Sequence, residues 1–132
     1  MSRTTERVGR SGEYFVASLL SQISDTVLIV PHSAEADLLF EYNNTLYKVQ
    51  VKTSSKINAG RVNWRFDMRR GSHSRDREYQ HQAIDIFALV CLKYRNAVFI
   101  KPMEQKQITI ADEHMKNNDA VNNILDILSN IH

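Results

Sequence analysis

The sequence predicts an α/β (α+β) fold, a mixed β-sheet core flanked by helices. Three observations carry this. Amphipathic helical stripes lie near both ends, at 12–23 and 119–131. A hairpin signal occupies 36–53. A nearly continuous apolar run, Ile84 to Leu92, has the pattern of a strand buried on both faces. Helices at the ends with strands between them make a layered sandwich.

The first helix is set by Phe15, Val16, Leu19, Leu20 and Ile23, which share one helical face, with Ser11 as N-cap. Thr26 to Val30 is β-branched and apolar, so it is expected as a strand stopped by Pro31. Next, Ala36–Tyr42 and Thr45–Thr53 flank Asn43-Asn44, a workable two-residue turn because Asn tolerates positive φ. If those two residues are the loop, paired positions follow: Tyr42 faces Thr45, Phe40 faces Tyr47, Leu38 faces Val49. Asp37 then falls opposite Gln50, and Glu35 opposite Lys52. Side chains alternate along a strand. Ala36, Leu38, Phe40, Tyr47, Val49 and Val51 therefore form an apolar core face. The other face collects Glu35, Asp37, Lys48, Gln50 and Lys52. A one-residue slip would destroy both groupings.

Residues 61–68 alternate again, with Arg61, Asn63, Arg65 and Asp67 on one side and Val62, Trp64, Phe66 and Met68 on the other. They are expected as a strand with a basic outer face. The polar, basic segment 69–78 is expected as a loop, and 79–83 as a short helical turn. After the buried strand, Arg95-Asn96 turns the chain into a strand at 97–101, stopped by Pro102. The polar region 103–118 has no readable period. The closing helix carries Val121, Ile124, Leu125, Leu128 and Ile131; this stripe serves either the chain's own core or contact with a second copy.

The 132 residues suit a single domain, 1–132, with a basic β insertion at about 54–78. No apolar stretch reaches the roughly 20 residues of a membrane span. The polar N-terminus has no signal-peptide core. One cysteine, Cys91, excludes an internal disulfide framework and sits in an apolar run, as a core residue would. An intracellular, cytoplasmic location is the expectation. The five histidines, His32, His73, His81, His114 and His132, lack metal-ligand spacing. Charge is uneven. Residues 48–77 hold nine bases and two acids, net +7, while the remaining eight bases and thirteen acids give −5. Such a stretch is the electrostatic footprint of a polyanion binder, although a solvated basic face would look the same.

The paired strands also suggest chemistry. Asp37 supplies a carboxylate, Gln50 a neutral amide oxygen and Val51 a backbone carbonyl, all hard donors suited to Mg²⁺. Lys52 beside them can orient a water or stabilise charge developing on a phosphate. Glu13 has two readings: an acid favoured near a helix N-terminus, or a further carboxylate aimed at the same ion. Glu35 is a rival for that second role, or a cross-strand partner of Lys52.

A Gly-Glu at a helix start (Gly12-Glu13), then Asp37, then Gln50-Val51-Lys52 on the next strand, resembles the PD-(D/E)xK nuclease superfamily. The resemblance runs over roughly 8–102. It is most like the small homing endonucleases of the cyanobacterial tRNA-intron type, and is also similar to archaeal Holliday junction resolvases. Two departures stand out: Ala36 where the motif name has proline, and Gln50 in the position of the second acid. The resemblance implies a restriction-endonuclease-like fold and a Mg²⁺- or Mn²⁺-dependent double-stranded DNA endonuclease. Glu13, Asp37, Gln50 and Lys52 would be catalytic, with Asp37, Gln50, the Val51 carbonyl and Glu13 around the metal. Lys56, Arg61, Asn63, Arg65, Arg69, Arg70, Arg75 and Arg77 would contact DNA, and cutting two strands implies a homodimer or homotetramer. A junction-resolving nuclease and a DNA-binding protein without catalysis, with Gln50 as the lesion, are the competing expectations.

Overall fold

The computed structural model describes residues 3–31, 35–54, 63–68 and 84–131. The elements, in chain order, are α1 (Arg3–Leu20), β1 (Val27–Ile29), β2 (Leu38–Tyr42), β3 (Thr45–Ser54), β4 (Asn63–Asp67), β5 (Ile86–Cys91), β6 (Asn96–Ile100), β7 (Gln107–Ala111), α2 (Asp112–Asn117) and α3 (Ala120–Asn130). The expected segments 69–78 and 79–83 lie outside the described residues, as do residues 61–62 of the basic strand.

Five strands form a mixed sheet in the order β1-β2-β3-β5-β6. Its β3/β5 pair is parallel and the other pairs are antiparallel. β4 and β7 make a separate antiparallel pair. The β2–β3 hairpin has the expected register, with Leu38 against Val49, Phe40 against Tyr47 and Tyr42 against Thr45. Asn43 and Asn44 adopt φ of 50° and 64°, the left-handed pair that a two-residue turn matching strand twist requires. Phe40 and Tyr47, directly opposed, stack at 5.4 Å between ring centroids.

Each face of the sheet has its own core. On one, α1 and α3 cover Leu38, Phe40, Tyr47, Val49, Ile86, Ala88 and Val90 with Val16, Leu20, Ile124 and Leu128. On the other, β4, β7 and α2 cover Phe87, Leu89, Cys91 and Val98 with Trp64, Phe66, Met68, Ile108, Ile110 and Met115. β5 is buried along its whole length because alternate residues serve alternate cores. Cys91 is one of them, and burial pushes its thiol above the ordinary range.

The structure revises four expectations. α1 begins at Arg3 rather than after Ser11, and ends at Leu20, before Ile23. Its first turns are exposed and polar, so no apolar stripe betrays them. The region 103–118 contains β7 and α2. The α3 stripe is spent on the chain's own core, with Ile127 rather than Leu125 buried beside Ile124 and Leu128. Ala36 packs in the β4/β7 core, opposite the face expected for it.

Candidate metal centre at the end of β2

The position of Ala36 has a local cause. The β2–β3 ladder ends at Leu38–Val49. One residue further out, the Asp37 N–H donates to the Val49 carbonyl at 2.9 Å, a shift of one residue from the hairpin register. This is the signature of a β-bulge, which breaks side-chain alternation. Neither Asp37/Gln50 nor Glu35/Lys52 is therefore a ladder pair.

The shift brings Asp37 close to Gln50 in a different way. Its Oδ2 accepts the Val51 N–H at 2.8 Å. The Asp37 backbone thus holds residue 49 and its carboxylate holds residue 51, bracketing Gln50. Its carbonyl accepts the N–H of Val30, the residue after β1, at 3.1 Å, which secures it from the other side. A carboxylate in this position replaces the strand partner that Val51 loses where β2 ends. By strand alternation, the Val51 carbonyl lies on that same edge.

Gln50 and Lys52 project to the β4/β7 side, in register with Phe87 and Leu89 of β5. This polar side of β3 is largely covered: Gln50 is only 6% exposed and Lys52 half-buried. A neutral amide suits this depth better than an unpaired carboxylate. Lys48, nearer the hairpin turn, is exposed.

Glu13 lies on α1, on the other side of the sheet. Because α1 starts at Arg3, Glu13 stands in the third turn, so the first-turn reading of its charge falls away; Glu6 is the first-turn acid. Gly12, just before it, is buried against Thr53, which follows Lys52 in β3. Glu13 is half-buried and Glu35 is exposed. Among the described residues, no three His, Cys, Asp or Glu side chains gather into a metal cluster. The Asp37 carboxylate and the Val51 carbonyl share the β2 edge of β3, the Gln50 amide lies between them on the β4/β7 face, and Glu13 stands on the helix over the opposite face. All are oxygens, a chemistry that fits a hard divalent cation.

Of the expected DNA-contact residues, Asn63 and Arg65 are described. Both lie on the outer side of β4, with Arg65 exposed and Asn63 half-buried. The Asn63 Oδ1 is buried without a hydrogen-bond partner. Lys56, Arg61, Arg69, Arg70, Arg75 and Arg77 lie outside the described residues, as do His32, His73, His81 and His132.

One cluster has no sequence signal. Asp112 Oδ1 accepts the Trp64 indole N–H at 2.9 Å and the Tyr94 hydroxyl at 2.7 Å. It ties β4, the β5–β6 turn and α2 together. The Tyr94 hydrogen bond, then that of Trp64, holds the Asp112 carboxyl below its ordinary range, and the same contact pushes Tyr94 up to about 12. Forty-eight residues separate Trp64 from Asp112, so no local spacing reveals the pairing.

The architecture has a solved counterpart. The fold matches a bacterial homing endonuclease, I-Ssp6803I, with a TM-score of 0.66 and 18% sequence identity, covering 95% of this chain and 92% of that one. Comparison with curated protein sequences gives no significant match. Residues 4–125 match the family model described as PD-(D/E)XK endonuclease, and they include Glu13, Asp37, Gln50 and Lys52. The chain belongs to the PD-(D/E)XK endonuclease family.

Proposed function

We propose that the chain is a Mg²⁺- or Mn²⁺-dependent endonuclease that hydrolyses double-stranded DNA at a specific site, in the manner of a homing enzyme. PD-(D/E)XK nucleases generally use divalent metals. The observation that carries the reading is Asp37, whose carboxylate is fixed by the Val51 N–H beside Gln50 at 2.8 Å. A carboxylate fixed in this way is pre-organised, so little ordering remains for ligand binding to impose. The ion, when bound, would neutralise phosphate charge and acidify the attacking water. Asp37, Gln50 and the Val51 carbonyl would hold it, and Glu13 would supply the charge that Gln50 lacks. Lys52, half-buried beside them, would orient the water and stabilise negative charge developing on the phosphate. The exposed Arg65, with the basic residues around it in sequence, would bind the duplex. Two subunits or more would be needed to cut both strands.

Selection of cleaved sites from a random duplex library, with Mg²⁺ and with EDTA, tests this. A long consensus cut only with metal is the expected result. Cleavage of four-way junctions in preference to any duplex would replace the homing reading with a resolving one. Lys52→Ala should lower the cleavage rate by at least about 10²-fold at unchanged DNA affinity. Arg65→Ala should weaken DNA binding and reduce the slope of log affinity against log salt by about 1.

A further inference from the structure

The contact between α1 and β3 beside Lys52 is tighter than packing alone needs. A Cβ added at Gly12 would overlap Thr53 Oγ1 and stand 3.0 Å from both Thr53 Cβ and Cγ2. The hydrogen in its place points toward that oxygen, a geometry in which Cα–H groups approach oxygen acceptors. Thr53 Oγ1 is itself buried and has no hydrogen-bond partner. An isosteric valine would avoid leaving a hydroxyl unsatisfied. The helix also bears a cost at this point, since glycine is disfavoured in a helix interior. Gly12 lies in the third turn of α1. Two locally unfavourable choices thus meet at one contact. The residues that follow and precede it in sequence are Glu13 and Lys52.

We infer that Gly12 and Thr53 form a positioning contact that sets Glu13 at the metal edge of β3. This rests on the metal reading proposed above. Glycine lets the helix backbone seat directly on the strand, and Thr53 fixes how far along β3 it seats. Glu13, the next residue, inherits that position. A helix held further from the sheet would carry Glu13 away from Asp37 and Gln50 while leaving both of those in place. Gly12 and Thr53 touch neither substrate nor ion; they act through Glu13.

The test is calorimetric binding of Ca²⁺ to the full chain, with thermal unfolding measured in parallel without metal. Four variants are compared: Glu13→Gln, Gly12→Ala, Thr53→Gly and the double variant Gly12→Ala/Thr53→Gly. The expected result is a loss of Ca²⁺ affinity of about tenfold or more in Glu13→Gln and in Gly12→Ala. The double variant, in which the strand makes room for the new methyl group, should recover most of the Gly12→Ala loss. A merely structural role would lower the unfolding temperature of Gly12→Ala but leave its Ca²⁺ affinity unchanged, and that result overturns the inference. Failure of the double variant to recover affinity while folded overturns it as well. If Gly12→Ala does not fold, Thr53→Gly decides: a folded protein with unaltered Ca²⁺ affinity overturns the inference, and weakened affinity supports it. Unchanged affinity in Glu13→Gln removes the metal role of Glu13 itself, which is a different failure from a Glu13→Gln loss unaccompanied by one in Gly12→Ala.

Discussion

Asp112 shows how much one side chain can organise, and its charge gives a direct test. Its carboxyl is held below the ordinary 3.8 by hydrogen bonds from Tyr94 and Trp64. A group with a depressed folded pKa contributes stability above its unfolded pKa and loses it as pH falls through the folded value. The stability advantage of the natural chain over Asp112→Asn should therefore shrink as pH drops below about 3.8 in acid unfolding. Tyr94 has the opposite sign: its contribution is complete below 10 and fades as pH rises through about 12. In Asp112→Asn the Tyr94 titration, followed by phenolate absorbance against Tyr94→Phe, should move back from about 12 toward 10. Gln50 makes the converse case. A carboxylate in its buried place should raise its own pKa, so Gln50→Glu should be destabilised by on the order of 1–3 kcal/mol at neutral pH without metal. The loss should be smaller near pH 4, where the group is protonated, and Mg²⁺ should reverse it. Thermal unfolding with Mg²⁺ and with EDTA measures both effects. At this scale, the neighbourhood of Asp37 and Gln50 was legible because the Asn43-Asn44 turn fixes the count along both strands. The bulge was not, because Ala36 is small and apolar and suits either face.

Elements differ in how well the sequence announces them. β5 is evident because a strand buried on both faces needs apolar residues throughout. β7 offers only Ile108 and Ile110 as buried residues, and α2 only Met115, too few to establish a period. α3 carries a second message hidden in its asparagines. β6 is one of the two outer strands of the five-stranded sheet, and its open side is met by side-chain amides. The Asn123 Oδ1 accepts the Phe99 N–H at 2.6 Å, and its Nδ2 donates to the Phe99 carbonyl at 3.1 Å. Asn118, which caps α2 just before α3, joins it and donates to the Ala97 carbonyl at 2.8 Å. These amides act as a substitute strand and cover an edge that would otherwise invite pairing with other chains. Asparagine also caps helices and makes turns, which is why composition cannot reveal this use. Asn123→Ala should cost about 1–3 kcal/mol in denaturant unfolding by leaving Phe99 unpaired, and should raise aggregation measured by light scattering. At the hairpin, Asn44 has φ 64°, where glycine carries no Cβ penalty. Asn44→Gly should therefore be tolerated or stabilising, by about 0.5 kcal/mol in the same assay.

Across the whole molecule, two cores share one sheet. Because alternate residues of β5 belong to opposite cores, neither core can be lost without loosening the strand that supports the other. Leu89→Ala, on the β4/β7 side, should cost about 2–5 kcal/mol and lower the stability of both layers together. The single tryptophan, Trp64, is fully buried in that layer and reports on it specifically. Its fluorescence and far-ultraviolet circular dichroism should trace one coincident transition in denaturant. An earlier fluorescence change would mean that the β4/β7 layer melts alone. The layered α/β plan was legible from the two helical stripes and the hairpin. The covering of the second face was not, since it depends on β4 meeting β7, about forty residues further along the chain. One feature of the sheet bears on how target preference can change. β3 and β5 run parallel, and a parallel pair obliges the chain to travel the full length of the strands before it can re-enter. That return path leaves β3 at Ser54, two residues after Lys52, and comes back at Ile86. On the proposed reading, the detour that geometry makes compulsory is also the segment that meets the duplex. Its outward-facing residues, such as Arg65, can drift toward a new target while Trp64, Phe66 and Met68 keep the second core and the strands at either end keep the chemistry.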